Sequence, residues 1–322
     1  NKLYAKVPSM QETLPLRSTA FTLSGMIVLG FVDNTIPFLS ADTGLWLFQA
    51  LRSAMVVPLL VLAALLGLGV LRARRPGAVL ARNFFTATAL LIYFGCLAFL
   101  PIGVVVAGLF TAPIFVLLIS VLFRGQRVGP FRWFAVAAGF TGGLLIVWPD
   151  EGGMTILSVL PVVAGMFYAV GAVATRAWCE GEDALVMVLG YFLILGAYGA
   201  VGVLGFTIWP QVAPPGPEGW ILRGWVPPDM GVLFWVFVQA LGSVVGVVFL
   251  TRGYQLGEAS FVAINEYSLI VFAAVFAWIL WGQVVGVTEI TGMALIVGSG
   301  ILIALRSRAA QVTAPDPVRP AP

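Results

Sequence analysis

The sequence predicts an all-α polytopic membrane protein with ten transmembrane helices arranged as two inverted five-helix repeats. Three observations carry that prediction. Of 322 residues, 60% are hydrophobic and 10% charged, and the mean hydropathy is +1.03, whereas an ordinary soluble domain carries about 25% charged residues. The charges cluster, leaving apolar runs of roughly 18 to 24 residues, long enough to cross a bilayer as helix. The second half of the chain also repeats part of the first at an offset of 157 residues.

Apolar runs read against charged or Pro/Gly breaks place the spans at 18–39, 44–71, 83–100, 102–123, 132–148, 155–178, 184–209, 230–253, 259–282 and 286–306. Spans three and four meet at Pro101. One continuous helix there would be about twice the bilayer thickness, so a tight turn is expected. The first repeat is thus 18–148 and the second 155–306. Residues 1–17 form an N-terminal segment, of which 1–9 read as a cloning remnant because both lysines fall there and the other basic residues are all arginine. The Pro/Ala-rich residues 307–322 are expected to be a disordered tail.

Orientation follows from arginine placement. With the N-terminus inside, Arg17, Arg72, Arg74, Arg75, Arg82, Arg124, Arg127, Arg132, Arg176, Arg252, Arg306, Arg308 and Arg319 fall on inner segments, and Arg223 alone falls in an outer loop. Both termini are then cytoplasmic. The net charge of +3 reflects these loop arginines, so it points to the lipid bilayer as partner, not nucleic acid. Trp209, Trp220 and Trp225 read as an interfacial belt.

The repeat lays the segment from Phe115 over the segment from Phe272. It pairs Gly125 with Gly282, Gln126 with Gln283, Gly129 with Gly286 and Gly143 with Gly300. Five spans per repeat is an odd number, so the halves lie in opposite orientations, an arrangement that places a transporter's substrate site near midplane between them. Ten spans in two fives, the pattern Pro113, Gly125-Gln126, Gly139 and Gly143, and the Arg-bearing "LRSAMVVPLLVLAAL" from Leu51 resemble the EamA-type members of the drug/metabolite transporter superfamily. The pattern is most similar to the bacterial aromatic amino acid exporters of the YddG type. Gln126 and Gln283 replace the usual corner Glu, and Ile270 replaces the second-half Pro. The resemblance implies alternating-access export of small amphipathic metabolites, aromatic or large neutral amino acids foremost, with cationic drugs or other metabolites as the alternative, and no cofactor.

Within the spans, Asn265, Glu266 and Tyr267 interrupt "VAINEYSLIVFAAVF", and no other charge lies between Glu258 and Glu289. An ionised side chain at membrane depth costs on the order of 3 kcal/mol on insertion scales. The small stripe Ala259, Ala263, Ala273 and Ala277 on the same face turns Glu266 into the bundle. Glu266 then either ties two helices together or serves as a ligand for a substrate ammonium or as a proton carrier, which leaves proton coupling open. Asp33-Asn34 in span one and Arg52 in span two lie roughly 9–12 Å below the outer membrane surface. They form either an architectural ion pair or separate charges that hold the two ends of a zwitterion. Tyr93, Tyr267 and Gln239 are further pocket candidates, since a buried phenol or amide needs a partner.

Other classes fare worse. No histidine is present, which removes His relays and Ser-His or Cys-His nucleophiles. Cys96 and Cys179 make neither a disulfide framework nor a metal site. No GxxxxGK[ST] motif supports a pump, and no filter sequence or ring of charges supports a channel. Aspartyl chemistry needs a carboxylate pair, whereas Asp33 and Glu266 fall toward opposite membrane faces.

The topology is testable with single cysteines at Ala78 and Gly216 in a Cys-free background, probed by an impermeant thiol reagent on intact cells. Gly216 is expected to label and Ala78 to stay protected; the reverse pattern inverts the assignment.

Overall fold

The computed structural model describes residues 14–96, 105, 108–123, 125, 128–147, 157, 159–282 and 286–312. In chain order its helices are α1 (Pro15–Asp33), α2 (Pro37–Ser40), α3 (Leu45–Leu65), α4 (Pro76–Cys96), α5 (Ala112–Leu122), α6 (Pro130–Val147), α7 (Val159–Ala177), α8 (Ala184–Ile208), α9 (Met230–Leu256), α10 (Ala259–Glu266), α11 (Ser268–Trp281) and α12 (Val287–Val312). Among the described residues all regular structure is helical. Seven helical stretches are long and apolar enough to cross a membrane, and Ala112–Leu122 and Ile290–Ser299 are shorter apolar helices. The chain is a multi-pass helical membrane protein.

Several boundaries differ from the sequence expectation. Helix α4 starts at Pro76 instead of 83, because proline at a helix start has the required φ and no missing hydrogen bond to lose. Arg82 therefore lies inside the helix and is buried, a correction to its placement on an inner segment just before the span. Helix α12 runs to Val312, past the expected end at 306. Pro101, Gln126 and Gln283 lie outside the described residues.

Span nine is two helices. Helix α10 ends at Glu266, Tyr267 forms a turn, and α11 starts at Ser268. Ser268 Oγ donates to the Asn265 carbonyl at 2.7 Å. At the positions 157 residues earlier, Phe110 and Thr111 form a turn before α5, and Thr111 Oγ1 donates to the Gly108 carbonyl at 2.6 Å. The two turn residues meet: the Phe110 and Tyr267 rings stack with centroids 5.7 Å apart, and Tyr267 Oη donates to the Phe110 carbonyl at 3.2 Å. Gly125 and Gly282, paired by the sequence repeat, both have positive φ, +60° and +65°. Glycine takes that left-handed conformation without a Cβ penalty.

Hydrogen bonds define the two ends of the bundle. Leu14 N donates to the Leu256 carbonyl (3.0 Å), and Leu45 N donates to that of Trp220 (2.7 Å). At the Leu256 end, Glu182 accepts from the backbone of Arg74 and Arg75. Arg252 pairs there with Asp183 at 3.5 Å, and Arg176 donates to the Gly257 carbonyl at 2.7 Å. At the opposite end Arg223 gathers the carbonyls of Ser40, Ala41 and Thr43. Trp220 is buried there among Leu39, Leu45, Phe48, Phe94, Val232 and Val236. It is a core residue, not part of an interfacial belt, whereas Trp209 and Trp225 are exposed.

Between the ends, α1 packs on α9, α4 on α7, α3 on α8 and α6 on α12; α1 also meets α11, and α5 meets α7. Glycines permit the closest crossings, as expected where lipid offers no hydrophobic drive and helices associate by tight packing. A Cβ at Gly25 would lie 3.0 Å from the Gly246 carbonyl oxygen, and one at Gly199 would lie 2.6 Å from the backbone nitrogen of Ala50. Because the obstruction at Gly199 is backbone, Gly199→Val should cost about 1–3 kcal/mol of stability and lower the detergent melting temperature by several degrees. Gly205→Val, where nothing lies within 4 Å, should melt like the parent; equal effects at the two sites would contradict this packing.

Candidate functional site

The bundle encloses an elongated cavity of about 150 Å³ with a mainly apolar wall. Along α9 it is lined by Gln239, Ser243, Val247, Leu250, Thr251 and Tyr254. At 1.5 Å per residue these positions span about 22 Å of helix, so the cavity follows much of the membrane thickness. Four ionisable groups open onto it: Asp33 at the end of α1, Arg52 on α3, Arg82 on α4 and Glu266 at the end of α10. Tyr93, Tyr168, Tyr191 and Tyr254 stand between them.

Each charge is placed by local structure. Asp33 is the last residue of α1, where the helix gives way to a turn before Pro37. Its side chain is solvent-accessible although it lies within the bundle, because it opens into the cavity. Arg52 Nη2 donates to Gln49 Oε1 at 2.6 Å. The guanidinium lies over the Phe48, Phe94 and Phe192 rings, 4.6, 5.6 and 5.5 Å from their centroids, contacts that spread its charge onto aromatic faces. Arg52 Nε is buried with no hydrogen-bond partner among the described residues. No ion pair within 4 Å joins Asp33 to Arg52 among the described residues, although the two charges face the same cavity.

Arg82 donates from Nε to Thr175 Oγ1 and from Nη1 to Asn83 Oδ1, both at 2.8 Å. No carboxylate pairs with it among the described residues. Glu266 ends α10 at the helix break and accepts from Tyr168 Oη at 3.0 Å. Tyr254 flanks the same carboxylate, and its hydroxyl is buried without a partner among the described residues. Asn83 Nδ2 and Thr251 Oγ1 are likewise unpartnered.

Of the sequence-predicted site residues, Asp33, Arg52, Tyr93, Gln239 and Glu266 line the cavity, and Asn34, Asn265 and Tyr267 do not. Asn34 Nδ2 instead ties the end of α1 to α11 through the Ala273 carbonyl at 3.0 Å, and Tyr267 is fully buried against Phe110. Asn265 is buried with its Nδ2 unpartnered. Gln239 also serves as a tie, donating to the Val32 carbonyl at 2.7 Å and to Thr35 Oγ1 at 2.9 Å. The sequence reading missed Arg82, Tyr168, Tyr191 and Tyr254. The available signal was Arg82 itself, a helical turn and a half beyond the helix-starting Pro76.

Residues 155–305 match the profile of the EamA-like transporter family. Over that segment, just under half of the chain, the protein is similar to EamA-like transporters. The chain is 25% identical over 288 residues to a riboflavin transporter of Rhizobium johnstonii, covering 89% of this chain and 88% of that one. It is 29% identical over 220 residues to a pseudopaline exporter of Pseudomonas aeruginosa, covering 68% and 72%. A riboflavin transporter of Vibrio cholerae is 24% identical over 84% of this chain and 87% of its own length. One solved crystal structure has the same fold, with a TM-score of 0.69 at 20% identity, covering 91% of this chain and 98% of the other. The chain is thus a multi-pass bacterial membrane protein whose relatives include small-molecule transporters.

Proposed function

We propose that this EamA-like protein is a secondary transporter that exports small amphipathic metabolites across the bacterial inner membrane by alternating access. Its substrates carry both charges and an apolar or aromatic body, as aromatic and large neutral amino acids do. The observation that carries this reading is one apolar-walled cavity holding two arginines and two carboxylates that make no ion pair with one another among the described residues. In a bilayer such groups mark substrate or ion paths, and an apolar pocket with a few placed polar groups is the usual form of a small-molecule site. A purely cationic substrate would meet two guanidiniums in the same cavity, which disfavours the cationic-drug alternative.

Ten spans in two inverted fives are part of the proposal, and the packing supports them. Exchanging α1 with α7, α3 with α8, α4 with α9, α5 with α10–α11 and α6 with α12 maps the main helix contacts onto one another. The α1–α9 contact becomes α7–α4, α1–α11 becomes α7–α5, and α3–α8 and α6–α12 map onto themselves. The matched turns at Phe110–Thr111 and Tyr267–Ser268 and the contact of Phe110 with Tyr267 follow the same rule. A broken helix ending in Glu266 at the cavity is the type of element on which transporters build substrate and ion sites. With the arginine-rich Leu256 end in the cytoplasm, both termini are cytoplasmic.

Purified protein in liposomes should carry phenylalanine, tryptophan and leucine in preference to riboflavin, which a relative carries but which has neither a carboxylate nor an ammonium. Arg52→Ala should reduce this transport at least tenfold with little change in melting temperature. If Glu266 carries a coupling proton, a pH gradient should drive accumulation in the parent and not in Glu266→Gln. Transport of organic cations, sugars or uncharged riboflavin, with neutral amino acids excluded, would overturn the substrate reading.

A further inference from the structure

The cavity holds its two arginines at different depths. Arg82 lies six residues from the start of α4, at the Leu256 end, and Arg52 lies seven residues from the start of α3, at the Trp220 end. The first is therefore about 9 Å from one end of the bundle and the second about 10 Å from the other. Arg82 shares its part of the cavity with Tyr168 and Tyr254, and Arg52 shares its part with Asp33 and Tyr93. Tyr191 stands within electrostatic reach of both guanidiniums, and among the described residues its hydroxyl is neither hydrogen-bonded nor sealed from the cavity.

The hydrogen bonds of Arg82 leave Nη2 without a protein partner among the described residues. Thr175 and Asn83 orient the guanidinium but neutralise nothing, since both are uncharged. A buried cation so held gains most from a charge-assisted, bidentate contact with an anionic group. The two arginines are thus alike in chemistry and offset in depth, and the Tyr191 phenol, which can both donate and accept, lines the same cavity.

We propose that Arg82 and Arg52 are two successive stations for one substrate carboxylate, with Tyr191 hydrogen-bonding to it in transit. This rests on reading the cavity as the transport path, and it assigns the substrate class more narrowly: a carboxylate is obligatory. Arg82 receives it when the Leu256 end is open, and Arg52 holds it when the Trp220 end is open. No bond is made or broken; the anion exchanges one guanidinium for another without passing through an unpaired state in the apolar wall.

The test uses everted and right-side-out membrane vesicles, which present the two faces separately, with phenylalanine, phenylpropionate (no ammonium) and phenethylamine (no carboxylate) as probes. Arg82→Gln should raise the half-saturating phenylalanine concentration at least tenfold at the Leu256-end face and less than twofold at the other, and Arg52→Gln should do the reverse. Phenylpropionate should compete with phenylalanine and phenethylamine should not. Arg82→Lys, which keeps the cation but loses the Thr175 bond, should restore most of the affinity. Thr175→Val, which removes the tie and keeps Arg82, should stay within threefold of the parent. Equal shifts at both faces, no shift, or a Thr175→Val loss matching Arg82→Gln would overturn the two-station assignment while the transport reading stands. Parent vesicles that move none of the probes would overturn both.

Discussion

Asp33, Arg52, Arg82 and Glu266 share one apolar cavity and make no ion pair with one another among the described residues, and the rest of the structure is arranged to make that tolerable. A charge at membrane depth costs several kcal/mol unless something solvates it. Asp33, Arg52, Arg82 and Glu266 each receive a different partial remedy: access to the cavity, aromatic faces, two neutral acceptors, or a tyrosine hydroxyl. Pairing Asp33 with Arg52 would have been the economical solution for a purely structural element. Its absence among the described residues leaves both signs of charge available to a ligand, and for that reason the cavity, more than the bundle around it, bears the functional argument.

Keeping charges apart requires a scaffold held by other means. Serine, threonine and glycine do much of this work. Ser18 Oγ donates to the Gly253 carbonyl at 2.9 Å between α1 and α9, and the missing Cβ atoms of Gly25 and Gly199 bring backbones into contact. The break at Tyr267 serves the same purpose from within a helix. By ending α10 at Glu266 it lets the carboxylate reach Tyr168, while the Tyr267 ring seals the turn against Phe110. At both ends of the bundle, arginines bound to backbone carbonyls, Arg176 and Arg223, cross-link segments that alternating access would require to separate.

The helical class, most spans and three of the four cavity charges were legible in the sequence, because a charge inside an apolar run is conspicuous in any register. Arg82 was not, since it closely follows Arg72, Arg74 and Arg75 and reads as the last of a loop cluster until Pro76 is recognised as the helix start. Tyr168, Tyr191 and Tyr254 were hidden for a different reason: aromatic residues are common on every face of a membrane helix, and only three-dimensional placement separates a cavity wall from a lipid contact. Asn34 and Tyr267 were misplaced by adjacency. Neighbouring residues on a helix point about 100° apart, so Asp33 and Glu266 face the cavity while the residues that follow them face other helices. The sequence repeat found the matched glycines at 125 and 282, and its own register also pairs Phe110 with Tyr267, a contact that only the packed structure reveals.

The central claim is that the cavity is the substrate's path, and Ser243 tests it most directly, because it is buried in the bundle yet lines the cavity midway along α9. With Cys96 and Cys179 replaced by alanine, Ser243→Cys should react with a small hydrophilic methanethiosulfonate in membranes, and a transported member of the substrate panel should slow that reaction in proportion to its occupancy. Leu241→Cys, on the exposed face of the same helix, should show no such protection. A Ser243→Cys thiol that stays inert to the aqueous reagent, or whose rate no transported compound alters, would contradict the account.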